Sequence, residues 1–167
     1  MSEFTRIADI RHLTEAPLRL IATEAERAAL ARRFGIVSIA ALEAAVQLTR
    51  DGPAVSAAGT LRAEIVQSCA VSGEDLPVTI DEPIALRFVP EAQLKITEEE
   101  IELDDDTLDE IPFSGTQFDL GEAVAQSLAL AIDPYAEGPE AERVRREVLT
   151  AQEASGPFAA LAALKKL

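Results

Sequence analysis

Thr60-Leu61-Arg62-Ala63-Glu64-Ile65-Val66-Gln67-Ser68-Cys69 alternates with a period of two. Leu61, Ala63, Ile65, Gln67 and Cys69 fall on one side; Arg62, Glu64, Val66 and Ser68 fall on the other. Successive side chains of a strand point to opposite faces, so the stretch reads as a strand with one face on a core. Ser72-Gly73-Glu74-Asp75 is turn material. A run carrying Val78 and Ile80 follows, and after Pro83 another carries Ile84, Leu86 and Phe88. Two β regions joined by a short Gly-containing loop predict an antiparallel pair or meander. Pro77 and Pro83 each lack a ladder donor and belong at strand starts or on an edge.

Outward from this centre, helix signals flank the β region. Thr23 with Glu26 makes a capping box, and Gly35 is a left-handed stop, which predicts a helix over 23–34. Asp119 with Glu122 repeats the cap before the stripe Leu120, Val124, Leu128 and Ala131, predicting a helix over 119–132 that ends before Pro134. Ala141, Val144, Val148 and Ala151 keep helical spacing over 141–153. Phe4 to Ile21 reads as one or two short strands broken near Pro17. Ile39 to Leu48 is Ala-rich and reads equally as helix or strand, and Asp51-Gly52-Pro53 is a turn. Thr116 to Leu120 is strand-like. The expected fold is α+β: a mainly antiparallel sheet centred on 60–89 with flanking helices on or beside it.

Glu98 to Glu110 differs in kind: nine of its thirteen residues are acidic and none is basic. Self-repulsion and low hydrophobicity predict a mobile, solvated loop. The expected organisation is one α+β domain over 1–155, with this loop at about 98–110, and a C-terminal helical segment over 156–167. Pro157 suits a first helical position, and Phe158, Leu161, Ala162 and Lys165 then share a face.

Charge narrows the function classes. The 167 residues hold 30 acids against 15 bases, a formal charge of −15. A broad grip on nucleic acid or an anionic membrane needs Lys and Arg in excess. The basic residues form only small groups, Arg27/Arg32/Arg33, Arg143/Arg145/Arg146 and Lys165/Lys166, without interleaved aromatics for base stacking. No apolar run approaches the roughly 20 residues that span a bilayer, and Met1 to Arg11 carries charges where a secretory signal is apolar. A cytoplasmic protein is expected.

Chemistry-bearing residues are sparse. His12 is the only histidine and Cys69 the only cysteine, so neither a multi-His metal site nor a disulfide forms within the chain. A His-assisted nucleophile, with Cys69 or a serine, is available in kind, but no spacing selects it. Cys69, on the apolar side of its strand, reads as a small buried hydrophobe. An EF-hand loop begun at Asp104 would need Gly at its sixth position, where Asp109 stands. No catalytic residue, metal site or cofactor is expected.

Four blocks in order carry a resemblance. They are Ala63 to Ser72 running on to Pro77-Val78, Asp81-Glu82-Pro83 and Arg87-Phe88-Val89-Pro90; the acidic stretch; Phe118 to Gln126 with Leu128 to Tyr135; and Gly156-Pro157-Phe158 to Lys165. Together they resemble the YceD family, the bacterial large ribosomal RNA subunit accumulation proteins, in the form found among alphaproteobacteria. The likeness covers most of 55–167 and, more faintly, Arg11-His12-Leu13. Two positions depart from it. Many relatives carry Cys-x-x-Cys at the central turn, whereas Cys69 is followed here by Ser72, which removes the second thiol of any zinc-dependent feature. Gly156 stands where Asn is usual.

The resemblance implies a non-enzymatic role supporting the large-subunit ribosomal RNA pool. Family genes often neighbour a large-subunit ribosomal protein gene, which fits that role. A chain at −15 meets basic ribosomal or assembly proteins more easily than RNA. The expected partner-binding residues are therefore Glu98, Glu99, Glu100, Asp104, Asp105 and Asp106 in the acidic loop, with Phe158 and Leu161 as apolar anchors. The alternatives are an RNA-binding module with a locally basic face, and a small hydrolase using His12.

Overall fold

The computed structural model describes residues 3–91 and 109–155. Glu98 to Leu108 and the 156–167 segment, with the expected partner residues they contain, lie outside the described residues.

The chain runs β1 (Ile7–Asp9), a 3-10 turn (Ile10–His12), β2 (Leu18–Ile21), α1 (Glu24–Phe34), β3 (Ser38–Asp51), β4 (Ala54–Ser68), β5 (Asp75–Pro90), β6 (Asp109–Phe113), β7 (Gln117–Asp119), α2 (Leu120–Ala131) and α3 (Ala141–Ser155). Strands β2-β3-β4-β5-β6 form one sheet in that order, antiparallel except for the parallel β5–β6 pair, and β1 pairs with β7 in a second. This is the α+β architecture with a mainly antiparallel sheet.

The period-two reading of β4 places its two faces correctly. Leu61, Ala63, Ile65, Gln67 and Cys69 are buried, while Arg62, Glu64 and Ser68 are exposed. The Ala-rich segment resolves as strand. Leu42, Ala44, Val46 and Leu48 of β3 are buried, and Ala45 and Gln47 between them are exposed. Alternation against a neighbouring strand outweighs the helix propensity of alanine here. Gly52 (φ +60°) and Pro53 make the two-residue connection between Asp51 and Ala54.

Strand β5 is one continuous strand, not two runs divided at Pro83. The carbonyl of Val66 accepts from Val37 N on the β3 side. Val66 therefore turns its backbone polar groups away from its β5 partner, Pro77, whose nitrogen faces the other edge. Pro83 has the same parity. From Asp75 to Ala85 that edge has no strand partner among the described residues, so both missing donors lie where no ladder bond is lost. Two prolines and the exposed Asp81 also blunt this edge against pairing with another chain.

The caps form as the sequence predicts. Thr23 Oγ1 accepts from Glu26 N (3.3 Å), and Glu26 Oε2 accepts from Thr23 N (2.7 Å). Gly35 at φ +68° closes α1 with bonds from Gly35 N to Arg32 O and from Ile36 N to Ala31 O. Asp119 caps α2 through Glu122 N and also accepts from Arg6 N, which fastens the N-terminal strand to this helix start. Helices α1 and α2 pack on one face of the sheet. Leu30, Leu120, Val124 and Leu128 meet Leu42, Val46, Leu61, Ile84 and Phe88 in a single core.

Two expectations are corrected. Asp109 and Glu110 do not belong to a loop: they begin β6, paired with Leu86 and Arg87, because Ile111 and the buried Phe113 carry this strand into the core. The amphipathic α3 is not packed along its length. Ala141 is buried and Val144 half-buried, whereas Val148 and Leu149 are about half exposed. Periodicity reports an apolar stripe and not whether a partner covers it.

Candidate functional site

The strongest local chemistry lies at the β4–β5 turn. Cys69 N donates to Glu74 O (2.7 Å) and Gly73 N to Cys69 O (3.1 Å), closing a tight corner with Gly73 at φ +74°. The corner turns three backbone N–H groups on the Cys69 sulfur: Val71 N at 3.4 Å, Ser72 N at 3.3 Å and Gly138 N at 3.3 Å. The Ser72 hydroxyl adds a fourth donor, and its hydrogen bond is the largest influence on the thiol. With the backbone donors it brings the pKa from an ordinary 9.0 down to about 7, against the opposing effect of burial. Gly138 comes from the loop between α2 and α3, and Ala70 N donates to Ala136 O in the same loop. Gln67, the buried polar side chain among the described residues, donates to Asp133 O at 2.7 Å. The sulfur thus helps fasten the β4–β5 turn to the chain leaving α2.

Between about pH 7 and 9 the unfolded chain binds more protons at Cys69 than the folded one, so stability rises with pH across that window. Urea midpoints are expected to increase from pH 7 to pH 9 more in the native chain than in Cys69→Ser. Identical pH dependence in the two would contradict the donor cage.

His12 is exposed in the 3-10 turn, on the β1 side of the molecule, and no hydrogen bond joins it to Cys69 among the described residues. The groups around the sulfur are backbone amides and a hydroxyl, not an imidazole base. No group of three or more His, Cys, Asp or Glu residues able to hold a metal ion occurs among the described residues. No helix there is long and apolar enough to cross a membrane.

The arginines are mostly committed to carboxylates. Arg6 forks onto Glu26 at 2.8 and 3.0 Å. Arg33 bridges Glu3 (3.0 Å) and Glu122 (2.7 Å), joining α1 to α2 and the N-terminus. Arg143 pairs with Glu140 and Glu147, Arg145 with Glu137, and Arg146 with Glu142. Arg27 donates to the carbonyls of Ile39 and Ala40. Of the three basic groups read from the sequence, the two described ones are therefore spent on internal contacts, except Arg32. Arg32 on α1 and Arg62 on β4 carry no ion pair among the described residues. Arg27 and Arg50, which donate only to backbone carbonyls, carry none either.

The sequence reading missed Glu82. Its register partner is the fully buried Leu61, so Glu82 stands in the core-facing row of β5 among Val78, Ile80, Ile84, Leu86 and Phe88, yet is exposed at the sheet edge. The signal was present: strict alternation through Pro83 makes 82 an inward position.

No curated protein and no solved structure matches the chain. The family model described as large ribosomal RNA subunit accumulation protein YceD matches residues 57–165, more than half of the chain, and the chain belongs to the YceD family.

Proposed function

We propose that this chain is a non-enzymatic, cytoplasmic accessory protein that supports large-subunit ribosomal RNA accumulation during ribosome assembly. It does so by holding a basic ribosomal or assembly protein and not by gripping the RNA. The family description supports the RNA connection. The observation that carries the choice of partner is the pairing of the arginines. At a net charge of −15, nearly every described guanidinium already faces a carboxylate or carbonyl, which leaves carboxylates in excess for a cationic protein. Opposite charge speeds encounter with such a partner and suppresses wrong ones. Glu98, Glu99, Glu100, Asp104, Asp105 and Asp106 supply this attraction, and Phe158 and Leu161 serve as apolar anchors.

The test is co-purification of the tagged chain with large-subunit proteins from nuclease-treated and untreated extracts. Ribosomal proteins retained after nuclease treatment support the reading; their loss assigns the contact to RNA. A Phe158→Ala/Leu161→Ala variant is expected to lower recovery with its melting temperature nearly unchanged. A loss of several kcal/mol of stability in that variant would instead place the two side chains in the core.

A further inference from the structure

Helices α1 and α2 pack on one face of the main sheet, and the outward side chains of the other face are largely exposed. Across that outer face runs a row of four charges, one from each of the strands β2 to β5: Arg19, Glu43, Arg62 and Asp81. Their signs alternate strictly. Arg19 pairs with Glu43 at 2.9 Å. Arg62 stands opposite Glu43 on one side and Asp81 on the other, yet forms an ion pair with neither among the described residues. Between these charges, over Ala45 and Thr60, lies a shallow depression of about 450 Å³. The next two register rows, first Ala45, Thr60 and Pro83, then Gln47, Ala58 and Ala85, are exposed and uncharged.

The alternation decides what fits this face. A run of one sign, whether RNA phosphates, a basic protein segment or the chain's own acidic stretch, meets two like charges there for two unlike ones. A matching surface must alternate as well, and the row read in reverse does so. A two-fold axis parallel to the strands, midway between β3 and β4, sets Arg19 over the second copy's Asp81 and Glu43 over the second copy's Arg62. An axis along the row would set every charge over itself. The first orientation also lays the small uncharged rows on their own counterparts, which lets the two sheets approach face to face. The depression then takes the Arg62 side chain of the second copy.

We propose that two copies of this chain associate through the outer faces of their sheets, with the Arg19, Glu43, Arg62 and Asp81 rows set against each other in reverse order. The area agrees with a reversible contact. A patch about four strands wide and nine residues long, at about 4.8 Å and 3.3 Å each, covers roughly 500–600 Å² a copy. The total of about 1,000 Å² is at the lower bound for a specific interface, so the dimer is concentration-dependent. The net charge of −15 opposes association, but the row itself is neutral, and repulsion beyond about 8 Å is screened at physiological salt. This inference is independent of the proposed function.

Sedimentation equilibrium of the full-length chain, from a few to a few hundred micromolar at physiological salt, is the test. The native chain is expected to pass from monomer to dimer within that range. Glu43→Arg and Arg62→Glu each set like charges face to face at the centre of the row, and each should weaken the dimer about tenfold or more. Mixed in equal amounts, the two variants present opposite charges to one another, so dimer should return as the mixed pair. Both replace side chains on the solvated face, and their melting temperatures should stay close to the native value. The mixture also guards against misfolding, since a chain that has lost its sheet restores nothing. Glu43→Arg makes the chain less negative and Arg62→Glu more so. Tightening by the first with weakening by the second would show dependence on net charge alone and overturn the proposal. A native dimer indifferent to both substitutions, or a mixture that stays monomeric, overturns it too. A native chain that is monomeric throughout overturns it and leaves the face to another occupant, the chain's own acidic stretch and tail included.

Discussion

Gly59→Ala is expected to destabilise the protein by about 3 kcal/mol or more, or to prevent folding. Gly59 sits in the middle of β4, opposite Val46 on one side and Ile84 on the other. A Cβ built there lies 1.8 Å from Ala45 O, 2.8 Å from Ala45 C and 2.9 Å from Val46 Cα. All three atoms are backbone of β3, so no rotamer change relieves the clash. The two longest ladders of the sheet share β4, and β3 can move only by giving up hydrogen bonds. Gly73→Ala is the internal comparison. It has open space around the added methyl and only a positive φ to bear, and should cost about 1 kcal/mol. Urea unfolding of the two variants checks this. Equal midpoints would mean that the β3–β4 approach is not as close as described.

Phe88→Ala should cost about 3–5 kcal/mol, a large share of the roughly 5–15 kcal/mol typical of a domain. The side chain is 1% exposed and stacks on Phe118 at 4.1 Å between ring centroids, with Phe113 a further 5.7 Å from Phe118. These three rings come from β5, β7 and β6. The cluster therefore holds the small β1–β7 sheet, and the start of α2 that follows it, against the main sheet. Calorimetry should show a drop in melting temperature of many degrees. A shift of only a degree or two would mean that the rings do not share a core.

What the sequence disclosed follows from how local each signal is. Caps at Thr23 and Asp119 depend on residues three positions apart, and both formed. The β4 alternation needs only its own side chains, and its faces came out correctly. Ile39 to Leu48 stayed open because alanine fits helix and strand alike, and a neighbouring strand decided it. The continuity of β5 through Pro83 depends on which way a proline nitrogen points, a property of pairing and not of composition. The parallel entry of β6 joins Asp109 to Leu86 across 23 positions, beyond the reach of any periodicity. For the site, the Cys69 turn was visible as a turn. Its third backbone tie, from Gly138, arrives from 69 residues away. Glu82 was passed over because the proline beside it suggested a break; alternation carried through Pro83 makes it an inward position, and the register with Leu61 confirms it.

The central claim is that the chain meets the ribosome through protein cations and not through RNA phosphates. Two salt titrations test it most directly: the purified chain against naked large-subunit ribosomal RNA, and against the salt-extracted proteins of the same subunit. Binding to the proteins should be clear at moderate salt and weaken as screening increases. Binding to the RNA should be weak, without the steep log–log salt slope that neutralising several phosphates imposes. Tight RNA binding with a steep slope, alongside little binding to the proteins, would contradict the account.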